Sequence, residues 1–149
     1  MKILTIGLMF LLFFISGVSG YAADCNSGGR YEDNGDGTVT DCRGGLIWLK
    51  DANCTDSLGL SGIDKSSGSL TWYDAMTWGV ALFGGHCGLT DGSSAGDWRL
   101  PTESEWRAMI ASAKKQNMTN PILTDGTGVG HWGTGNPNNV FDNVQSAIY

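Results

Sequence analysis

Four cysteines, Cys25, Cys42, Cys54 and Cys87, all follow an apolar N-terminal segment, and their number and position constrain the chain more than any other feature. An even count downstream of an export signal reads as two disulfides. Four cysteines permit three pairings. Cys25–Cys42 with Cys54–Cys87 is preferred, because each pair then closes a moderate loop flanked by turn-rich sequence. The loop-entropy account gives about 3 kcal/mol for the first and about 4 kcal/mol for the second. No spacing is C-x-x-C, and only His86 and His131 could complete a zinc site, so zinc is not expected.

The leader supports the oxidising compartment. Lys2 is a minimal positive region, Ile3 to Ile15 is apolar apart from Thr5 and Gly7, and Ser16 to Gly20 are mostly small. That order defines a signal peptide over residues 1–23. Cleavage after Ala22 places Gly20 at the −3 position; cleavage after Ala23 would place bulky Tyr21 there. The alternative is an uncleaved anchor, but the apolar run is shorter than the roughly 20 residues that span a bilayer. Later segments supply no membrane span either. Cys25 follows Tyr21-Ala22-Ala23-Asp24, which is not the small-residue box of a lipoprotein.

Residues 24–149 are enough for one domain with a real core. Without Lys2 the remainder carries eight basic and 15 acidic side chains, a formal charge of −7. Such a field repels polyanions, so no nucleic-acid partner is expected, and simple electrostatic attraction to sulfated polysaccharide is weakened. The 23 glycines follow no period, while six tryptophans offer large apolar areas to bury. Many loops around an aromatic core is the expected picture.

Local signals order the elements. A strand begins at Tyr31, Asn34-Gly35-Asp36-Gly37 is a tight turn, and Thr38-Val39-Thr40 returns. Arg43-Gly44-Gly45 turns again into the buried strand Leu46-Ile47-Trp48-Leu49, completing a meander. Asp51 to Ser69 has no apolar period and reads as a loop pinned by Cys54. Thr71 caps a helix with Asp74 as its third residue, and Trp72, Ala75, Met76, Val80 and Phe83 are expected on its buried face. Thr102 and Glu105 form a capping box for a second helix, with Trp106, Met109, Ile110 and Ala113 at helical spacing and Lys114 and Lys115 suiting its C-terminal dipole. Asp97 to Pro101 reads as a strand that Pro101 ends. Val140-Phe141 and Ala147-Ile148-Tyr149 are further short-strand candidates.

Three segments taken in order, Arg30-Tyr31-Glu32-Asp33-Asn34-Gly35-Asp36-Gly37-Thr38-Val39-Thr40-Asp41, Gly45-Leu46-Ile47-Trp48-Leu49-Lys50 and Gly96-Asp97-Trp98-Arg99-Leu100-Pro101-Thr102, resemble the Lcl C-terminal domain, a family named after a collagen-like bacterial adhesin. The resemblance runs from Arg30 to Tyr149. It implies an α+β fold, C-type-lectin-like and related to the formylglycine-generating enzyme, with short antiparallel strands, two helices and long loops. It also implies binding rather than catalysis, since the naming member attaches to glycosaminoglycans. Members of that family usually continue beyond the segment matching Val144 to Tyr149 with a Trp-Ser-Ser-Thr-like strand, so the domain is expected to be incomplete at Tyr149.

Candidate sites follow from residue chemistry. Asp33, Asn34, Asp36, Thr38 and Asp41 crowd oxygen ligands around a glycine bend, as Ca²⁺ loops do, although no glutamate stands twelve residues from Asp33. The same residues are accounted for by a hairpin turn, which is preferred. Asp97 and Arg99 alternate along one strand and suggest a structural anchor beside Trp98. Glu103 and Glu105 are not an opposed catalytic pair. His131 and Trp132, in a glycine-rich loop, could present an aromatic face to a sugar ring, or Trp132 could belong to the core. Cys54 and Cys87 carry no signature of reactive thiols.

Three functions remain in competition. The leading one is an exported binding module, periplasmic, cell-surface or secreted, for an extracellular glycan. The second is a structural module contacting other envelope proteins. The third is an exported hydrolase or thiol enzyme; no catalytic residue and no obligatory cofactor is expected.

Overall fold

The computed structural model describes residues 13–14, for the backbone alone, together with 25 and 28–145. The rest of the leader and Ala147 to Tyr149 lie outside the described residues. The chain forms β1 (Phe13–Phe14), β2 (Tyr31–Asp33), β3 (Thr38–Asp41), β4 (Leu46–Leu49), α1 (Trp72–Ala81), β5 (Trp98–Arg99) and α2 (Glu103–Lys115). This is a small α+β architecture. Strands β2, β3 and β4 are the expected antiparallel meander, in which Tyr31 pairs with Asp41, Asp33 with Val39, Val39 with Trp48 and Thr38 with Leu49. The sheet continues through β1 to β5 in the order β2-β3-β4-β1-β5.

Alternation along β4 divides the core. Leu46 and Trp48 contribute to one cluster, with Tyr31, Val39, Met109 of α2, Leu123, Phe141 and Val144. Ile47 and Leu49 contribute to another, with Trp78 of α1, Leu82, Leu89, Trp98 and the Cys54 side chain. A strand has a side-chain period of two, so β4 serves both clusters, and a slip of one residue would exchange them. Both faces are covered because the segments after β4 pack on either side.

Both helix starts follow their sequence signals. Thr71 Oγ1 accepts from the Asp74 N–H, and Thr102 with Glu105 makes the reciprocal capping box. The buried face of α1 corrects the expectation. Trp78 and Gly79 are its buried residues, with Leu82 buried just beyond, whereas Trp72, Met76, Val80 and Phe83 are exposed and Ala75 is half-buried. Apolar residues occur all round this helix, so periodicity does not single out a face. Trp78 fixes the orientation, filling the core while its indole N–H donates to the Asp56 carbonyl at 2.6 Å. Val140-Phe141 is not a strand either. Phe141 is buried edge-on against Tyr31, and only an isolated bridge between Asp51 and Asp142 forms nearby.

The two disulfides are Cys25–Cys42 and Cys54–Cys87, as preferred from the sequence. They indicate an oxidising environment. No helix among the described residues is long and apolar enough to cross a membrane.

Candidate functional site

The hairpin between β2 and β3 is built by its own polar side chains. Asp33 Oδ1 accepts from the Gly35 N–H, and Asp36 Oδ1 accepts from the Thr38 N–H and hydroxyl. Asn34 donates to Thr38 Oγ1 at 2.7 Å and accepts from Thr40 Oγ1. Asp41 stands at the opposite end of the hairpin, opposite Tyr31. There its carboxylate receives the Arg30 guanidinium at 2.9 and 3.3 Å and the N–H groups of Arg43 and Gly44. The five residues considered as Ca²⁺ ligands are therefore divided between a turn and a buried ion pair. Among the described residues, the one group of three His, Cys, Asp or Glu side chains close enough to share a metal is Cys25, Glu32 and Cys42. Its two sulfurs are bonded to each other and offer no thiolate.

The turn carries a cleft on its flank. Gly37 sits at φ +86°, and a Cβ there would fall 2.3 Å from the Gly88 carbonyl oxygen. Only glycine permits that approach, which is sealed by the Thr90 N–H donating to the Asp36 carbonyl. The Cys54–Cys87 bridge pins the second wall. Lys50 follows β4; its N–H reaches the Gly37 carbonyl, and its carbonyl accepts from the Asp142 N–H. Four separate segments thus enclose a polar cleft of about 300 Å³, lined by Asp33, Lys50, Asp51, Asp142, Asn143 and the glycine backbone.

Its electrostatics centre on Lys50. The ammonium lies 2.7 Å from Asp33 Oδ2 and 3.6 Å from Asp142 Oδ2. Partial burial pushes the Asp33 carboxyl up, but the Lys50 hydrogen bond and the Gly35 N–H outweigh it and hold the group below its ordinary value. The hydrogen bond to Asp33 raises Lys50 in turn. Asp51 Oδ1 accepts from Asn143 Nδ2 at 2.9 Å and from the Asn53 N–H. Three carboxylates face one ammonium, so the cleft is acidic and rich in acceptors. It suits hydroxyl or ammonium donors and disfavours anions.

The remaining candidates lie elsewhere. His131 is exposed, with Nε2 2.8 Å from the Pro121 carbonyl oxygen. Trp132 is half-buried against the first cluster and donates its indole N–H to the Phe141 carbonyl. Asp97 accepts from the Ser94 N–H, while Arg99 makes a two-pronged bond to Glu105 at 2.8 and 3.0 Å. That bond draws Glu105 down to about 2. His86, isolated in sequence, meets Asp56 at 2.8 Å.

Sequence reasoning did not find the cleft or the Arg30–Asp41 pair. Arg30 is buried, donates to the carbonyls of Met109 and Ala108 as well, and so ties the meander to α2. Partners 78 and 79 residues away leave no local signal.

The chain matches no known family model, and neither a curated protein nor a solved structure similar to it was found.

Proposed function

We propose that this protein is an exported, non-catalytic recognition module, periplasmic, cell-surface or secreted, whose polar cleft takes a hydroxyl-rich ligand such as a neutral or amino-bearing glycan. The observation that carries the reading is the convergence of Asp33, Lys50, Asp51, Asp142 and Asn143 on one disulfide-pinned cleft. Loops held by a rigid scaffold are where recognition residues gather. The resemblance to the Lcl C-terminal domain points toward glycan attachment; the acidic cleft favours neutral or cationic sugars over sulfated chains. The leader and both disulfides support export. The four cysteines are all paired, and Asp33 and Glu105 are held ionised, which supports binding over thiol or general-acid chemistry.

A glycan panel probed at low and moderate salt tests the proposal. Binding should depend little on salt, because the contacts are local. Asp142→Ala should lower affinity about tenfold or more, the scale of a charge-assisted hydrogen bond. A folded protein that binds no glycan would remove the reading.

A second reading, a structural module for envelope assembly, is favoured by one observation: Trp72, Tyr73, Met76, Val80 and Phe83 form an exposed apolar stripe on and just beyond α1. It predicts association in sedimentation that Met76→Glu abolishes, without glycan affinity.

A further inference from the structure

The sheet contains a strand whose neighbours cannot pair without it. Phe13 pairs with Trp48 on one side and Arg99 on the other; Phe14 pairs with Ile47 and Trp98. Both pairings are antiparallel, so β4 and β5 run parallel to each other. They stand two strand intervals apart, roughly 9.5 Å, too far for backbone hydrogen bonds between them. Take β1 away and the sheet has a slot one strand wide.

The walls of that slot have anchors besides their pairing with the occupant. β4 is bonded along its other edge to β3. β5 is held by the Trp98 indole N–H on Ser93 Oγ and by Arg99 on Glu105, and the chain entering it by the Gly96 N–H on the Val80 carbonyl. Trp48 and Trp98 are each 1 % exposed or less, so the walls belong to the two core clusters. Closing the slot would drag buried tryptophans out of place.

The occupant, by contrast, belongs to the segment that reads as a cleavable leader. Cleavage after Ala22 removes Phe13 and Phe14 together. β1 follows or precedes neither of its sheet neighbours directly in sequence, so no hairpin delivers it. Backbone bonds to the two walls are what incorporate it, and a detached peptide can make the same bonds.

We propose that the β4–β5 slot is a strand acceptor. In the leader-cleaved protein it takes an extended segment of a second polypeptide, antiparallel to both walls, with two consecutive large apolar residues at the places of Phe13 and Phe14. Main-chain bonds supply affinity in such strand addition, and alternate side chains supply selectivity. This proposal rests on the export reading above and names the kind of partner an exported form would engage.

The test uses protein recovered from the exporting cell and a solubilised synthetic peptide spanning residues 11–16. Intact mass first establishes whether the leader has gone. On cleaved protein, the peptide should raise the melting temperature by several degrees and bind saturably at one site. N-methylation of the Phe13 and Phe14 amides should weaken binding at least tenfold, since it removes backbone donors while keeping both side chains. Equal binding of the methylated peptide would mean mere apolar adhesion and would overturn the proposal. So would folded, cleaved protein that ignores the peptide, with the export reading left standing. A retained leader would overturn both.

Discussion

Lys65 buries an ammonium against Trp78, and replacing it with methionine should abolish a gain in stability that the protein shows in mild alkali. The side chain is 4 % exposed, its Nζ donates to the Cys54 carbonyl, and it lies 4.4 Å from the centre of the Trp78 ring. Burial pulls its pKa down to about 8, against the opposing pull of Asp51 and Asp56. The unfolded chain then holds a proton on this lysine that the folded chain releases between pH 8 and about 10.5, so stability rises with pH across that window. From pH 7 to 9.5 the gain works out at about 2 kcal/mol. For a domain of this size that is roughly 6–10 °C in melting temperature. Above pH 10 the trend should turn, because burial raises Tyr31 and the unfolded chain ionises its tyrosine first. The assay is thermal unfolding by near-UV circular dichroism at half-unit steps from pH 7 to 9.5, for wild type and Lys65→Met. Methionine keeps the apolar stem but leaves the Cys54 carbonyl without this donor, so the variant is expected to lose ground at pH 9.5 relative to wild type and to show no rise. A flat wild-type profile, or the same slope in both proteins, would refute the reasoning.

Three other outcomes are expected. Arg30→Ala should cost about 3–5 kcal/mol in urea unfolding, because Asp41 is left as a buried charge and two α2 carbonyls lose a donor. Stability should also fall as acid approaches pH 2: the Arg99 bond lowers Glu105, so its contribution is complete above about pH 4.5 and is lost as pH drops toward 2. Discounted for partial exposure, that is about 1–2 kcal/mol, and Glu105→Gln should remove this part of the acid dependence. Excess Ca²⁺ against EDTA should leave the melting temperature unchanged, since Asp33, Asn34 and Asp36 already serve the turn; a saturable upward shift would promote the hairpin to a metal site.

What the sequence discloses well is whatever a few adjacent residues decide. Asn34 to Gly37 closes a hairpin because glycine and short polar side chains satisfy the bend locally. Thr71 and Thr102 start helices because each accepts an N–H from three residues on. Turn-rich flanks were sufficient to favour the observed cysteine pairing. The features that escaped depend on distant choices. Lys65 lies in a polar, glycine-containing loop and reads as solvated; only the arrival of Trp78 buries it. The apolar residues of α1 leave its orientation open until Trp78 finds Asp56. The cleft joins Asp33, Lys50 and Asp142, and no local pattern links positions so far apart. Phe141 is buried without needing strand pairing, which apolar character alone does not distinguish.

The division of β4 between two clusters has a consequence for how the molecule opens. Loss of the α1 side exposes Ile47 and Leu49 but leaves Trp48 packed under Met109; loss of the α2 side does the reverse. Each partial opening still keeps β4 hydrogen-bonded to β3. The amides in that ladder should exchange with deuterium only through complete unfolding, while each flank exchanges through its own smaller opening. The Cys54–Cys87 bridge belongs to the α1-side cluster, so replacing that pair alone with alanine should loosen one flank and lower its protection first, leaving the meander and α2 as the slowest part of the protein to take up label.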